Sequence, residues 1–181
     1  PNLYLRAPQA GDHAAWALLR MESRDFLTPW EPTWNEDDLT RASFRLRAKR
    51  AAREISTDEA YSLFIFETGT ETLIGGLTLG LIRRGVAQAC TLGYWMGRRH
   101  AGKGHMTEAV HGAVRFAFSD LALHRVEAAC LPNNEPSRRL LERVGFQHEG
   151  MARAYLKING NWADHLLYAV LSTDALPGQR P

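Results

Sequence analysis

The stretch LGYWMGRRHAGKGHMTEAV, residues 92–110, decides the fold of this chain. Its beginning, as far as Trp95, is a run of apolar and aromatic residues, which is typical of a strand. From Met106 onward, apolar residues recur at helical spacing. The segment between them contains Gly97, Gly102 and Gly104. The pattern therefore predicts a strand, a glycine loop and a helix in direct succession.

The glycine loop has the features of an anion-binding site. The first N–H groups of a helix have no partner inside the helix and attract negative charge. Three cations stand in the same loop, namely Arg98, Arg99 and Lys103. A turn without a ligand would explain one glycine at the start of a helix, but not three glycines with three cations. The loop is therefore predicted to bind a phosphate group.

Two known types of phosphate-binding loop are possible interpretations of this sequence. From Gly97 the chain follows the pattern of a nucleotide triphosphatase, but Gly104 stands where that motif needs Ser or Thr to hold magnesium. No apolar strand ending in Asp serves the metal from the other side. The alternative is the pyrophosphate loop of an acyl-coenzyme A transferase, which needs backbone N–H groups and no metal. Residues 102–104 open directly into a helix and favour this second interpretation.

The segments around this unit predict a mixed sheet. A first strand at residues 3–6 and a helix are followed by a helix that begins at the acidic residues 35–38. An antiparallel meander follows, with strands at residues 61–67, 73–81 and 87–96. The strand at residues 125–131 must run parallel to the strand before the glycine loop, because a helix crosses between them. A final hairpin turns at Asn159-Gly160.

The predicted fold class is therefore α/β (α+β), in a single domain. About seven strands form a twisted, mostly antiparallel sheet that is flanked by helices and splayed between its two central parallel strands. The domain is predicted over residues 1–175, and residues 176–181 are predicted to be a loose tail. A length of 181 residues with 45% hydrophobic residues is ample for one core.

Composition bounds the possible partners. A net charge of +2 gives no reason to expect a direct role with nucleic acid, and the basic residues of one predicted helix fit a solvated face. Cys90 and Cys130 are too far apart in the sequence to form a Cys-x-x-Cys metal motif, and both are expected to be buried thiols. No bound metal is therefore expected. No stretch approaches the ~20 apolar residues of a membrane span, and no secretion signal is seen. A soluble, cytoplasmic monomer or homodimer is expected.

The segment from Phe26 to Trp34 places aromatic residues in a connection that two prolines should keep irregular. Two interpretations stay open. The aromatic residues close the core, or they form the wall of a substrate pocket in which Glu31 offers a carboxylate to a cationic substrate.

A short helix is predicted after the second parallel strand. Asn134 has the character of its N-cap, and Gly145 ends it. Ser137 then lies in the first turn, at the mouth between the two parallel strands. Its hydroxyl serves either the ligand or local backbone groups, and both roles stay open.

The order of these elements and four stretches of sequence resemble the GNAT N-acetyltransferase family. The resemblance covers nearly the whole chain and is greatest to the Rim-type ribosomal-protein-alanine N-acetyltransferases. The four stretches lie at residues 27–32, 93–109, 134–146 and 150–165. It implies a GNAT-type domain that transfers the acetyl group of acetyl-coenzyme A (acetyl-CoA) directly to an amine, most simply the N-terminal amine of a ribosomal or other protein.

The chain departs from the family pattern at two positions. Ala101 stands where the loop motif has Gln or Arg, although main-chain N–H groups are unaffected by that change. Leu141 stands where many relatives have a tyrosine that protonates the departing thiolate. In the Rim type a serine earlier in this helix is implied instead, and Ser137 matches it.

The resemblance and the patterns above assign candidate residues to each part of the site. Ser137 is the candidate acid, the main-chain N–H near Met96 the candidate oxyanion donor, and Glu31, Glu108 or a water chain the candidate base. The candidate acceptor-side residues are Trp30, Glu31, Trp34 and Tyr155. The candidate cofactor-binding residues are Trp95, Met96, Gly97, Arg99, Gly102, Lys103, Gly104, His105, Met106, Asn134 and Ser137.

Three functions remain compatible with the sequence. The first is acetylation of a protein N-terminus, and the second is acetylation of a small amine such as an antibiotic, polyamine or amino acid. The third, non-catalytic binding of acyl-CoA, is favoured only by the missing tyrosine. An α-amine has a pKa of about 8 and a lysine side chain one of about 10.4, so an N-terminal amine needs less help to become neutral.

Overall fold

The computed structural model describes residues 2–175 and 177. The strands are β1 (Leu3–Arg6), β2 (Tyr61–Glu67), β3 (Thr72–Arg83), β4 (Ala89–Met96), β5 (Arg125–Cys130), β6 (Gln147–Ile158) and β7 (Asn161–Leu171). The helices are α1 (His13–Glu22), α2 (Arg24–Leu27), α3 (Arg41–Ser56), α4 (His105–Ser119) and α5 (Glu135–Val144). The predicted tail at residues 176–181 lies, apart from Pro177, outside the described residues.

The seven strands form one sheet in the order β1-β2-β3-β4-β5-β7-β6. Neighbouring strands are antiparallel except for β4 and β5, which are parallel because α4 carries the chain back between them. The turn between β6 and β7 has positive φ at both Asn159 and Gly160, as a two-residue hairpin requires. The mixed seven-stranded sheet predicted from the sequence is confirmed.

The parallel strands separate partway along their length. Their pairing ends at Leu92 in β4 and Ala128 in β5. Beyond this point β4 stays paired with β3 as far as Met96, and β5 stays paired with β7 as far as Cys130. Within the described residues, the facing edges of the two strands therefore diverge, which confirms the predicted splay.

Helices cover both faces of the sheet. On one face α4 presents Met106, Val110 and Val114 at four-residue spacing, and all three are buried. Burying a valine side chain contributes about 1.5–3 kcal/mol, so this row fixes α4 firmly to the sheet. On the other face, Trp16 of α1 packs against Phe44 of α3. The glycine loop is thereby held between β4 and a well-anchored α4.

Helix α3 begins later than the sequence pattern indicates. Thr40 is its N-cap, and the Oγ1 atom of Thr40 accepts a hydrogen bond from the Ser43 N–H. The acidic residues predicted to begin the helix form a separate turn, in which the Asp38 carboxylate accepts from the Asn35 N–H at 2.8 Å. The prediction was wrong because Asn and Asp side chains bind nearby backbone and stabilise turns.

Candidate active site

The glycine loop forms an open cradle in front of α4. Gly102 and Gly104 have left-handed backbone conformations, with φ of 76° and 84°. A Cβ atom added at either position would meet no atom within 4 Å, so the space above the backbone is free. Gly104 is the N-cap of α4 and provides no side-chain cap. The first N–H groups of α4 are therefore available to an anion.

Three side chains of this loop face the same cleft and suit an anionic ligand. Lys103 supplies positive charge, and His100 and His105 each have a buried Nδ1 atom without a hydrogen-bond partner among the described residues, while the Glu67 carboxylate lies 3.9 Å from Nδ1 of His105. Burial lowers the pKa of His100, against an opposing effect of the Glu67 carboxylate, and the neighbouring cations act in the same direction as burial. Buried polar atoms in proteins are normally hydrogen-bonded, so these nitrogens fit a bound group that would complete their hydrogen bonding.

Two predicted cofactor-binding residues of this segment lie outside the cleft. A Cβ atom at Gly97 would lie 2.3 Å from Cδ1 of Leu19, so glycine is required here for the packing of α1 against β4. Arg99 points to the surface, where it forms an ion pair with Glu22. Gly97 and Arg99 therefore contact residues of α1, and neither lies in the cleft with the other predicted cofactor-binding residues.

The splay between β4 and β5 is continuous with a cleft of about 760 Å³. The predicted residues that line it are Trp30, Glu31, Trp95, Met96, Gly102, Lys103, Gly104, His105, Met106, Asn134 and Ser137. Trp34 and Tyr155 do not line the cleft themselves. Trp34 contacts the lining residue Glu31, and Tyr155 contacts the lining residue His165. The glycine loop and the aromatic segment thus line the same cleft.

The main-chain N–H of Met96 points into the splay. The next residue, Gly97, donates its N–H to the Ile74 carbonyl at 2.9 Å, on the β3 side of β4. Because backbone groups alternate in direction along a strand, the Met96 N–H is directed to the opposite side, where β5 has already diverged. A donor near Met96 was predicted from the sequence, and the geometry is compatible with that role.

Ser137 is bonded across the splay to a residue that the sequence reasoning did not select. The Ser137 Oγ atom lies 2.7 Å from the phenolic oxygen of Tyr94 in β4. The main-chain N–H of Ser137 donates to the side chain of Asn134, which is the predicted N-cap of α5. Burial raises the pKa of Tyr94 well above its ordinary value, so the phenol keeps its proton. Strand alternation puts Tyr94 on the same face as Met96 and could have identified it.

Cys130, at the end of β5, also lines the cleft. Burial raises the pKa of its thiol, against a smaller opposing effect of a hydrogen bond with Ser137. A cysteine is a good nucleophile only as the thiolate. The buried thiol is therefore poorly suited to accept an acyl group.

The aromatic segment is partly helical, because α2 and a 3-10 turn at Thr28–Trp30 replace the irregular connection predicted there. Both carboxylate oxygens of Glu31 accept hydrogen bonds from Arg20 of α1, at 2.7 Å each. The indole N–H of Trp34 donates to the same carboxylate at 2.8 Å. The Arg20 guanidinium also lies over the rings of Trp34 and Trp95, at 4.2 and 4.9 Å from their centroids. Glu31 is therefore held firmly in place.

Two further contacts define the surroundings of the cleft. The N–H of Asn159, in the β6–β7 turn, donates to the main-chain oxygen of Glu31 at 2.8 Å and joins the hairpin to the aromatic segment. Glu108, the other candidate base, lies outside the cleft and accepts a hydrogen bond from the Asn2 N–H. It is thus engaged with the start of the chain and not with the other candidates.

Residues 2–175 and 177 contain neither a metal-binding cluster nor a membrane-spanning helix. In that part of the chain, no group of three or more His, Cys, Asp or Glu residues is arranged to hold a metal ion. None of the helices described there has the length and apolar character needed to cross a membrane.

Comparison with known proteins identifies the family. Residues 2–147 match the acetyltransferase (GNAT) domain. The chain is 39% identical to the probable N-acetyltransferase YjcK of Bacillus subtilis (strain 168), over 96% of each protein. It is 35% identical to the ribosomal protein uS5-alanine N-acetyltransferase of Escherichia coli (strain K12), over 93% of this chain and 88% of that enzyme.

A solved structure agrees with these matches. RimJ of Mycobacterium smegmatis, in complex with CoA-disulfide, is similar with a TM-score of 0.89 and 31% identity, over 93% of this chain and 81% of that one. The splayed sheet and the open glycine loop described above therefore belong to a chain that matches the GNAT acetyltransferase domain along most of its length. This chain belongs to the GNAT family of acetyltransferases.

Proposed function

We propose that this acetyltransferase moves the acetyl group of acetyl-CoA to the N-terminal α-amine of a ribosomal or other protein. One observation carries the proposal: a single cleft is lined both by the anion-binding glycine loop and by the aromatic segment around Trp30. A cosubstrate with phosphate groups and an organic amine can therefore meet there. The relatives support this assignment, since RimJ of Mycobacterium smegmatis was solved with a CoA-disulfide, and the Escherichia coli relative is named for acetylating an alanine of protein uS5.

The residues of the cleft fit acetyl-CoA. The N–H groups at the start of α4 and the Lys103 ammonium would hold the diphosphate, and Gly102 and Gly104 leave room for it beside the backbone. The edge of β4 beyond Leu92 offers free backbone groups to the amide-containing arm of the cosubstrate. Backbone N–H groups and a lysine compensate the negative charge, so this binding mode needs no metal.

The geometry favours direct attack of the amine on the thioester. The N–H of Met96 is directed into the splay and would donate to the oxyanion that forms on the acetyl group. The Ser137 hydroxyl would protonate the departing thiolate, and the Tyr94 hydroxyl, 2.7 Å away, would donate to the Ser137 oxygen. Burial keeps the Cys130 thiol protonated, which disfavours a route through an acetylated cysteine.

The acceptor would enter beside the aromatic segment. Trp30 lines the cleft, and Arg20, Glu31 and Trp34 form a rigid cluster next to it. An α-amine, with a pKa of about 8, is partly neutral near pH 7 and can attack with only modest help, whereas a lysine amine near 10.4 is almost wholly protonated. Among the described residues that line the cleft, Glu31 is the only carboxylate, and both of its oxygens already accept hydrogen bonds from Arg20. An N-terminal acceptor is therefore favoured over a lysine.

A panel assay tests the proposed acceptor. CoA release and product mass are measured with peptides that carry a free N-terminus, the same peptides with a blocked N-terminus and a free lysine, and small amines such as polyamines. We expect acetylation of the free N-terminal amine alone. Acetylation of small amines only would support the small-molecule alternative, and binding of acetyl-CoA without transfer to any amine would support a non-catalytic role.

A further inference from the structure

His165 lies at the point where the sheet opens. Its neighbour Leu166 in β7 is paired with Cys130, the last residue of β5, so His165 lies one residue beyond the end of that strand. On the other side, His165 is paired with Ala152 of β6. The residue is only 3% exposed, and it lines the cleft between β4 and β5. The imidazole is thus sheltered from bulk solvent and adjacent to the space where the acetyl group and the amine would meet.

One hydrogen bond fixes the tautomer of this ring. The Nδ1 atom lies 2.9 Å from the main-chain oxygen of Ala163. A carbonyl oxygen can only accept, so Nδ1 must carry the hydrogen, and in the neutral ring the lone pair is on Nε2. No described residue forms a hydrogen bond with Nε2. His165 therefore presents an oriented basic nitrogen that has no protein partner.

The groups around the ring leave Nε2 available. The ring of Tyr155 in β6 packs edge-on against the imidazole, with centroids 5.8 Å apart. The neighbouring Asp164 carboxylate is engaged by the Ala154 N–H. Among the charged groups of the cleft, Glu31 is paired with Arg20. The remaining charged or titratable groups that line it are Tyr94, His100, Lys103, His105, Cys130, Arg139, Arg143 and Lys157.

We propose that Nε2 of His165 is the general base that accepts a proton from the incoming amine, directly or through one water molecule. This inference rests on the proposed acetylation of an amine, but not on whether that amine belongs to a protein or to a small molecule. The two carboxylates suggested by the sequence are less suitable. Glu31 accepts three hydrogen bonds from Arg20 and Trp34, and Glu108 lies outside the cleft.

The reaction starts from the amine in its ammonium form. The ammonium group gives one proton to Nε2, and the freed nitrogen lone pair forms the N–C bond while the carbonyl pair moves to oxygen. The carbonyl then re-forms as the C–S bond breaks, and its electron pair leaves on sulfur. Sulfur takes one proton from Ser137, the second proton of the new amide nitrogen passes to the Ser137 oxygen in its place, and the imidazolium returns its proton to water. The products are the acetamide, CoA and one released proton.

The variant His165→Asn tests this role. The asparagine amide can still donate to the Ala163 oxygen in place of Nδ1, but it provides no basic nitrogen at the position of Nε2. With the primary amine that the wild type acetylates fastest, we expect kcat/KM at pH 7 to fall on the order of 10²-fold. Affinity for CoA, measured by calorimetry, should stay within about twofold. His148→Asn, an exposed histidine of β6 outside the cleft, is the matched control and should behave as the wild type.

The pH dependence separates a base from a merely structural histidine. Between pH 7 and pH 9 an α-amine with a pKa of about 8 becomes mostly neutral on its own. The advantage of the wild type over His165→Asn should therefore shrink about tenfold over that range. A deficit that is equally large at both pH values, or kinetics equal to the wild type, would overturn the role of His165. If only small amines are acetylated, the proposed acceptor fails and His165 is judged on those amines, with the two pH values chosen one unit below and one unit above the pKa of the amine; if none is acetylated, both proposals fail.

Discussion

The phenolic oxygen of Tyr94 and the Oγ atom of Ser137 lie 2.7 Å apart and join β4 to α5 across the splayed part of the sheet. Because burial raises the pKa of Tyr94, the phenol stays protonated and can donate to Ser137. The Ser137 hydroxyl then has its own hydrogen free for a second acceptor. Capping of α5 is performed by Asn134, whose side chain accepts the Ser137 N–H, so the hydroxyl is not needed for that purpose.

Replacing Ser137 by alanine should therefore affect chemistry more than folding. As the proposed acid, Ser137 should contribute on the order of 10²-fold to kcat, and CoA affinity should remain. Turnover, CoA affinity and the thermal midpoint are to be measured on one preparation of Ser137→Ala. Since a thiol with a pKa near 8.5 can leave partly unprotonated, a loss of less than about tenfold would argue against the role of an acid.

The partner of Ser137 can be tested by removing one oxygen atom. Tyr94→Phe keeps the ring in the core but leaves the Ser137 hydroxyl without its donor. We expect kcat to fall, though less than in Ser137→Ala, because the hydroxyl itself remains. Tyr168→Phe is a control, since Tyr168 also packs in the core and also makes a hydrogen bond, but it bonds to Glu142 and does not line the cleft. Equal effects of the two changes on kcat would contradict the proposed relay.

The glycine loop can be tested at a position where the added atom has space. Gly104→Ala places a methyl group where it meets no protein atom within 4 Å, at a residue with φ of 84°. The left-handed backbone should lower the free energy of unfolding by roughly 1–2 kcal/mol. If the diphosphate lies against this backbone, the methyl group should also weaken CoA binding by about tenfold or more, as calorimetry with chelator present can show.

A second glycine provides the control for that experiment. Gly85, in the turn between β3 and β4, is also left-handed, with φ of 64° and free space around a Cβ atom, and it lies outside the cleft. Gly85→Ala should carry the same backbone strain and leave CoA affinity unchanged. A similar loss of affinity in both variants would mean that strain, and not contact with the ligand, is responsible. A requirement for magnesium would revive the triphosphatase interpretation.

The fold could be predicted from the sequence because its main determinants are local. The strand, glycine loop and helix of residues 92–110 follow from periodicity and from glycines, and the Asn159-Gly160 turn follows from its backbone requirements. The start of α3 was missed because an acidic turn and a helix N-terminus use the same residue types.

The side-chain partners in the site depend on contacts between distant parts of the chain. Nothing near Gly97 indicates that Leu19 of α1 packs on it, or that Arg99 pairs with Glu22. The role of Arg20 as a partner of Glu31 is likewise a tertiary contact between two elements. Residue types and motif spacing could therefore locate the cleft, but not the hydrogen bonds within it.

The ion pair between Arg20 and Glu31 should matter for the acceptor and not for CoA. Both side chains are largely buried, and Glu31→Gln leaves the Arg20 guanidinium with a weaker partner beside Trp34 and Trp95. Breaking one side of a buried pair costs about 3 kcal/mol, so some stability should be lost. We expect the KM for the amine to rise about tenfold in steady-state kinetics, while CoA affinity is retained.

A second ion pair separates stability from acceptor binding. Arg6 makes the same bidentate contact with Asp12, at 2.7 Å for each bond, and lies outside the cleft. Arg6→Gln should lower the thermal midpoint but leave the KM for the amine unchanged. If Arg6→Gln raised that KM as much as Glu31→Gln, general destabilisation would explain both variants. A loss of CoA affinity in Glu31→Gln alone would place the aromatic segment on the cosubstrate side.

The free energy of unfolding should fall as the pH is lowered below about 6.5, the ordinary pKa of histidine. Burial lowers the pKa of both His100 and His111 in the folded protein, whereas in the unfolded chain each is expected near 6.5. Above pH 6.5 both states are neutral at these positions. As the pH falls below that value, the unfolded chain takes up protons that the folded protein resists, so the free energy of unfolding decreases until the folded pKa values are passed. Urea unfolding between pH 7.5 and 5.5 should show this decrease, and replacing both residues by glutamine should reduce it. An unchanged pH dependence in the double variant would contradict the assignment.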